Sequence, residues 1–449
     1  MVASVLAAIL AAAPGPSDVI LGGALSEGGA MARVTDLTDR IGARLSGSAG
    51  AAEAVRWGVE QFRAAGVNVR TEPVKVPVWV RGEERGEVLA APGRRAWPLV
   101  LTALGGSPPT PASGIEAEVV EVTSLQALET APVQGRIVYF HHDMAVSSEY
   151  GNASSLRTVG PARAARRGAL ATLVRSAATA SERSPHTGWV RFHPGEKAIP
   201  AAAVATEDAA SLHRWLAQGP VRVRLVLGCR IEKDADSSNV IAEIKGRERP
   251  AEIVLYGAHL DSWDLAVGAQ DDGTGVAMVL EAARLMARLK PGPRRTVRFV
   301  LFMNEENGGE GAKAYAAAHG NELHVAALEA DAGSGRPLSI EFRAAEGAEA
   351  LLAPLVRPLG VVGVTRVTRS EHHGADLGAL AQARGLATVS VQQDVSHYFD
   401  IHHSAADTLD KIDPAALAQA SAAWAWMAWS LADAPGTLSP PAIEPPPRD

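Results

Sequence analysis

Apolar runs and helical spacings alternate along the second half of this 449-residue chain. The apolar run at residues 253–256 predicts a buried strand, and the apolar spacing over 276–286 predicts a helix after a polar loop. This alternation predicts an α/β domain in which helices pack on a central sheet. Further apolar runs predict strands at 296–303, 324–332 and 387–391.

The middle of the chain has a different pattern. Residues 115–228 hold short predicted strands and small helices, after a stretch at 105–114 whose Gly and Pro content is typical of a connection. We therefore expect 115–228 to be an inserted, smaller β-rich domain, flanked by the two parts of the main domain, 21–114 and 229–435. The Pro-rich tail, 436–449, is expected to be extended or disordered.

The N-terminus resembles a targeting signal. Residues 1–20 begin with an apolar, small-residue run like the core and cleavage region of a secretory signal, although the basic segment that normally precedes it is missing. The run predicts a secreted or periplasmic protein, with a cytoplasmic location as the alternative. It is too short to cross a bilayer, and no later stretch has about 18 uncharged apolar residues, so no membrane span is expected.

The charge distribution and one missing motif disfavour two classes of function. The formal charge is −7 and acidic and basic residues are well mixed, without the basic stripe that nucleic-acid binding requires. No G-x-S-x-G elbow occurs, which disfavours a serine hydrolase. The sequence therefore predicts no nucleic-acid partner.

Side chains with metal-binding chemistry follow the predicted strands. In open α/β sheets, ligands bind at the carboxyl ends of the strands. Histidine nitrogens and carboxylate oxygens are ligands that Zn²⁺ accepts, and this set is large enough for two ions that share one carboxylate. The residues are His259, Asp271, Glu305, Glu306, Asp331 and His403.

Five motifs in order carry a resemblance to a known family: G-A-H-L-D-S from Gly257, G-A-Q-D-D-G-T-G from Gly268, N-E-E-N-G from Asn304, E-A-D-A-G from Glu329 and H-H-S-A-A-D-T from His402. The set resembles the M28 family of di-zinc exopeptidases, in the carboxypeptidase branch that inserts a protease-associated (PA) domain. The resemblance implies a mixed central sheet flanked by helices (the zinc exopeptidase fold), a PA domain at the inserted segment, two Zn²⁺ per chain and, as in related enzymes, a homodimer.

The resemblance also implies individual roles. His259 and Asp331 would complete one zinc site, Glu306 and His403 would complete the other, and Asp271 would bridge both. Glu305 would be the general base that acts on a metal-bridging water. His397 and His402 compete with His403 for the ligand role; the family pattern places an aspartate four residues after the ligand, and only His403 has one there, Asp407.

Several neighbours are expected to support these residues. Asp261 lies two residues after His259, so on an extended backbone both side chains leave the same face, which suits an acceptor for the second imidazole N–H. Asp272 is expected to hold the backbone at the bridging ligand, and Asp407 to support His403. His402 takes the position of an oxyanion-binding tyrosine in many relatives. His372 and His373 line the substrate pocket or belong to an exposed loop.

The reaction implied is hydrolysis of a dipeptide or short peptide next to a free terminus. An N-acyl amino acid amidohydrolase would use the same scaffold and metals and stays open as an alternative. A glutaminyl cyclase relative is disfavoured because such enzymes bind one zinc. A non-catalytic PA-bearing binding protein would be expected to have lost ligands, whereas this chain keeps the whole set.

Overall fold

The computed structural model describes residues 14–371 and 373–441. Most strands belong to two large sheets. A two-stranded ribbon, formed by Trp79–Val80 and Arg230–Ile231, stands at the two points where the chain passes from one sheet to the other. The strands are β1 (Asn68–Val76), β2 (Trp79–Val80), β3 (Glu84–Ala90), β4 (Trp97–Leu99), β5 (Leu101–Ala103), β6 (Ile115–Val122), β7 (Ile137–Phe140), β8 (Ala171–Arg175), β9 (Ala201–Val204), β10 (Arg222–Leu227), β11 (Arg230–Ile231), β12 (Ala235–Ile244), β13 (Arg249–His259), β14 (Arg295–Phe302), β15 (Leu323–Glu329), β16 (Pro337–Arg343), β17 (Val367–Arg369) and β18 (Thr388–Gln393).

Local sequence explains where the longer helices begin. Ser48 accepts the N–H of Ala51 at the start of the helix Ala49–Ala64, and Asp413 accepts that of Ala415 at the start of the helix Pro414–Asp433, where Pro414 occupies the first turn. The helices are α1 (Gly23–Ser26), α2 (Gly29–Arg40), α3 (Ala49–Ala64), α4 (Leu125–Leu128), α5 (Tyr150–Arg166), α6 (Thr206–Leu216), α7 (Thr274–Ala287), α8 (Glu310–His319), α9 (Ala348–Val356), α10 (Gly378–Arg384), α11 (Tyr398–Ile401) and α12 (Pro414–Asp433), with short 3-10 or π turns at Asp18–Gly22, Ser147–Glu149, Ala269–Gly273, Arg357–Val362 and Leu409–Lys411.

The first sheet is the centre of the main domain. Within the described residues its strand order is β1-β12-β14-β13-β15-β18-β16-β17. The neighbours β14, β13, β15 and β18 are parallel, whereas β1, β12 and β16 pair antiparallel, so the predicted mixed sheet is confirmed. The four parallel strands end at the same edge, and the polar motifs follow three of them.

Helices cover both faces of this sheet, as predicted. Val254 and Tyr256 of β13 pack in the core formed with α2, α3, α7 and α12, whereas Leu255 between them packs on the opposite face with residues of α8 and α10. A strand that is buried on both faces must be apolar throughout, which explains the uninterrupted apolar run. Trp424 of α12 lies in the first core and stacks on Tyr256.

The second sheet has the order β4-β3-β10-β6-β7-β8-β9-β5 within the described residues. Its strands start at residue 84, so the expected boundary at residue 115 is wrong: β3, β4 and β5 belong to the second sheet and not to the main domain. The loop at 105–114 lies inside this unit because β5 before it pairs with β9 after it. We call residues 84–227 the second unit.

The chain ends differ in part from the sequence expectation. Residues 1–13 of the signal-like segment lie outside the described residues, while Ile20 is fully buried in the main core. In the Pro-rich tail, Leu438 packs in the same core and residues 442–449 lie outside the described part. Across residues 14–371 and 373–441, no helix combines the length and hydrophobicity that a bilayer crossing demands.

Candidate active site

The strand-end residues converge at the carboxyl edge of the first sheet. His259 is the last residue of β13, Glu305 and Glu306 follow β14, and Asp331 follows β15. Because the three strands are adjacent and parallel, their ends meet at one place. Asp271 reaches the same place from the turn before α7, and His403 follows α11.

Asp271 lies between two imidazoles. Its Oδ1 is 3.1 Å from Nε2 of His259, and its Oδ2 is 3.2 Å from Nε2 of His403. Each oxygen therefore faces a different histidine. This is the arrangement that a carboxylate shared by two cations requires.

Two further carboxylates complete two groups of donor atoms. Oδ1 of Asp331 lies 3.7 Å from Nε2 of His259, and Oε2 of Glu306 lies 3.0 Å from Nε2 of His403. The set His259, Asp271 and Glu306 places its ligand atoms within 4.8 Å of one another. The structure thus brings together every residue of the expected ligand set.

The donor set passes a chemical test for cations. Oδ2 of Asp271 is buried and forms no hydrogen bond within the described residues, although two histidine nitrogens lie nearby. An unpaired buried carboxylate oxygen costs free energy unless a cation or donor satisfies it. Nitrogen and oxygen donors at this spacing fit zinc.

The crowding of charged groups at the site shifts the pKa values of several of them. Burial opposes protonation of His259, but Asp271 and Asp331 outweigh it and hold the pKa of His259 well above its ordinary range. Burial, with the charge of Asp271 second, raises the pKa of Glu306 to about 7. Without a cation the histidines therefore take up protons, so metal binding at this site must compete with protons.

Glu305 is half-buried beside the ligands. Burial raises the pKa of Glu305 well above its ordinary range; the charge of His259 opposes this shift and that of Asp331 adds to it. Its backbone N–H donates to Oδ1 of Asp261 at 3.1 Å, which fixes the start of the loop. Glu305 also lines the main cleft, whereas its neighbour Glu306 contacts His403.

The Asp261 side chain was expected to accept the second ring N–H of His259, and the structure shows a different acceptor. Nδ1 of His259 lies 3.0 Å from the main-chain oxygen of Asp261, while the Asp261 carboxylate is 4.0 Å away. That carboxylate instead accepts the N–H of Asn304 at 2.7 Å and the hydroxyl of Ser46 at 3.0 Å. The loop bends after His259, so the main chain and not the side chain meets the ring.

The expectation for Asp407 also needs correction. Its two carboxylate oxygens accept the N–H groups of Gln270 at 2.7 Å and Asp271 at 3.1 Å, so it supports Asp271 and not His403. Asp272 accepts the N–H of His259 at 3.2 Å and that of Gly275 at 3.0 Å, which ties the turn to the end of β13.

The histidines near the C-terminus have different surroundings. His403 faces both Asp271 and Glu306, whereas Nε2 of its stacked neighbour His402 faces Asp271 alone, at 3.4 Å. His397 is 91% exposed and pairs with Asp400, away from the ligands. This geometry favours His403 as the ligand and leaves His402 in the wall of the cleft.

Of the two histidines expected to line the substrate pocket, His372 and His373, only His373 can be placed, and it lies at the side of the ligand set. His373 is half-buried and lines a side cleft of about 230 Å³ together with Asp331 and Glu329. Glu329 anchors that loop because its carboxylate accepts the N–H groups of Ala375 and Leu377. His372 lies outside the described residues.

Sequence reasoning missed the contribution of the second unit. The cleft beside the ligands has a volume of about 490 Å³, and the second unit supplies part of its wall: Tyr150, Arg157, Trp189 and Arg191. A signal existed for Arg157, since it shares the buried face of α5 with Ala153 and Gly160, where an arginine is unusual.

Comparison with known proteins identifies the family. Residues 239–428 match the model of Peptidase family M28. Over 407 residues the chain is 36% identical to carboxypeptidase Q of Homo sapiens, an alignment that covers 89% of this chain and 84% of the relative.

The chain belongs to peptidase family M28.

Solved structures agree with this assignment. The peptidase M28 precursor of Shewanella amazonensis SB2B superposes with a TM-score of 0.90 at 38% identity, covering 96% of this chain and 98% of that one. A zinc aminopeptidase of Bacillus subtilis shares the fold, with a TM-score of 0.65 at 19% identity, covering 90% and 94%. The prediction of a metallo-exopeptidase of the M28 family is confirmed, and membership implies zinc as the metal.

Proposed function

We propose that this M28 peptidase is a di-zinc exopeptidase that hydrolyses dipeptides or other short peptides. The observation that supports two ions is the placement of Asp271, whose two oxygens face His259 and His403. His259 and Asp331 would hold one zinc and Glu306 and His403 the other, with Asp271 shared. The bound ions would polarise the scissile carbonyl and make a water more acidic.

Glu305 would act as the general base. Burial raises the pKa of Glu305 well above the ordinary range of a carboxyl, which makes it a stronger proton acceptor than an exposed glutamate. Glu305 takes the proton of the attacking water and passes it to the nitrogen of the leaving amine. The Asp261 carboxylate accepts the backbone N–H of Glu305 and so holds the main chain from which the Glu305 side chain extends.

The size and charge of the cleft favour a short peptide as the substrate. Its volume of about 490 Å³ suits a small ligand, and its walls come from both units of the chain. Arg157 and Arg191 add positive charge to the part of the wall that the second unit supplies, and this charge would attract the carboxylate of a small zwitterionic peptide. Arg191 is held over the ring of Trp189 at 5.0 Å.

We also propose that the second unit is the inserted PA domain and that the protein is exported. The insertion would then be a working part of the active site, since its side chains line the cleft. In this interpretation the main domain runs on both sides of residues 84–227.

Metal counting combined with a substrate panel tests the proposed function. We expect about two zinc ions per chain, loss of turnover on chelation and recovery with zinc. Asp271→Asn should lower metal content, whereas Asp410→Asn, a change of an exposed carboxylate, should leave it unchanged. A metal-free but active protein would refute the proposal, and hydrolysis of N-acetylated but not free dipeptides would favour the amidohydrolase.

A further inference from the structure

A second cluster of metal-binding side chains lies in the second unit, apart from the catalytic ligands. Nδ1 of His141 is 2.7 Å and Nδ1 of His213 is 2.8 Å from the same oxygen, Oε1 of Glu121. The ligand atoms of the three residues all lie within 4.8 Å of one another. Two imidazoles from different elements thus direct the same ring atom to one carboxylate oxygen.

The fold holds these three residues on rigid elements. Glu121 is in β6 opposite Tyr139 of β7, and His141 directly follows β7, where its N–H donates to Val122 at 3.0 Å. His213 comes from the last turn of α6, which packs over the same sheet. Sites built on strands and helices hold their geometry better than sites built on loops.

We propose that Glu121, His141 and His213 form a binding site for a divalent transition-metal ion of the zinc class. Two imidazoles and one carboxylate are a donor set that zinc accepts, with a fourth position left for water. Ligands about 2.1 Å from a tetrahedral zinc lie roughly 3.4 Å apart. An outward movement of about 0.7 Å would admit the ion, and His213, whose side chain is 50% exposed, has room to make it.

The surroundings of His141 support this assignment. Its other nitrogen, Nε2, lies 3.3 Å from Oδ1 of Asp143, which is the carboxylate–histidine arrangement found behind metal ligands. Its ring stacks on Tyr139 at 5.6 Å and 15°, and the Tyr139 hydroxyl donates to Ala209 at 3.0 Å. The imidazole is therefore oriented with Nδ1 toward the cluster before any ion arrives.

Binding would link α6 to the ends of β6 and β7. An imidazole binds a metal ion only through an unprotonated nitrogen, so protons compete with the ion for this site. The ion would stabilise the folded second unit by an amount that grows with its free concentration. This role is independent of the catalytic ions, because none of the three ligands is shared with that site.

Metal counting on the full-length, tag-free protein tests the proposal. After equilibration with Zn²⁺ or Co²⁺ and dialysis, His213→Ala and Glu121→Gln should each hold one ion fewer per chain than the wild type. His142→Ala is the matched control, since His142 pairs with Glu149 in the same unit, outside the cluster. The Zn²⁺-dependent rise in melting temperature should shrink in both cluster variants and stay in the control.

Two results would overturn the proposal. One is equal metal content in the wild type and both cluster variants. The other is loss of dipeptide turnover together with the missing ion, which would assign that ion to the catalytic site. Since the readout is the difference between wild type and variant, it holds whatever number of ions the catalytic site binds.

Discussion

Arg157 and His403 belong to different units of the chain, yet Nη1 of the arginine lies 3.5 Å from Nδ1 of the histidine. Thr187 connects them: its oxygen accepts from Arg157 at 3.1 Å and lies 3.3 Å from Nδ1 of His403, and its N–H donates to the His403 oxygen at 2.8 Å. The second unit therefore orients a residue of the proposed ligand set.

Arg157→Ala should lower kcat/KM for a dipeptide by about 10- to 100-fold, because a lost hydrogen bond from a buried charged group costs about 1.5–3 kcal/mol. Loss of one zinc to a chelator should also become faster, which a purely structural role far from the site would not produce. Arg163→Ala, an exposed arginine on the same helix, is the control. Unchanged kinetics and zinc loss in Arg157→Ala would contradict the positioning role.

Glu305→Gln should keep the metal content and lose turnover by about 10²- to 10⁴-fold, because the amide cannot take a proton from water. Metal analysis and kcat on the same preparation check this. Glu310→Gln changes a neighbouring, partly exposed glutamate that pairs with Lys313 and should keep full activity. Parent-like turnover in Glu305→Gln would remove Glu305 from the role of base.

Much of this site could be predicted from the sequence because its residues come directly after predicted strands. His259, Glu305 and Glu306 stand directly after apolar runs, and parallel pairing brings such ends together whatever the loops do. The bend after His259 could not be predicted, so the acceptor of its Nδ1 was wrongly assigned to the Asp261 side chain instead of its main chain.

The second unit was harder to predict for a different reason. Strands β3 to β5 precede a Gly- and Pro-rich loop, and local composition cannot tell whether such a loop separates two domains or lies within one. Long-range pairing of β5 with β9 decides the boundary. The same long-range packing brings Arg157 to the cleft, where no local motif marks it.

Arg44 holds the loop after β13 and its replacement should destabilise the protein. It is fully buried and donates to the main-chain oxygens of Leu260 at 2.7 Å, Val267 at 2.7 Å and Gly268 at 2.9 Å. Arg44→Met leaves these acceptors unpaired, so we expect a loss of about 3 kcal/mol in the free energy of unfolding.

Urea unfolding of the Arg44→Met and Arg40→Met variants measures this effect. Arg40 ends helix α2 and its side chain is 50% exposed, so its replacement should change the free energy of unfolding by less than about 0.5 kcal/mol. Equal stabilities of the two variants would show that the loop does not depend on Arg44.

His324 should contribute to acid sensitivity. Burial, followed by the charge of Arg298, lowers the pKa of His324 to about 4, against about 6.5 in an unfolded chain. The unfolded state therefore binds the proton first as the pH falls, and the stability that the neutral ring provides above pH 6.5 is lost toward pH 4.

His324→Gln should reduce the loss of unfolding free energy between about pH 7.5 and pH 5 by about 2 kcal/mol, because glutamine does not titrate. His193→Gln, at an exposed position, is the control and should follow the wild type. An unchanged pH dependence in His324→Gln would show that this ring is not a source of the acid sensitivity.

The order of the converging residues along the chain has a consequence during synthesis. Ser46 contacts Asp261 at the site, whereas His403 and Asp407 follow Ser46 by more than 350 residues in the sequence. A nascent chain that already carries Ser46 therefore lacks His403 and Asp407 during most of the synthesis between them. The complete set of converging side chains exists only after residue 407 has been synthesised.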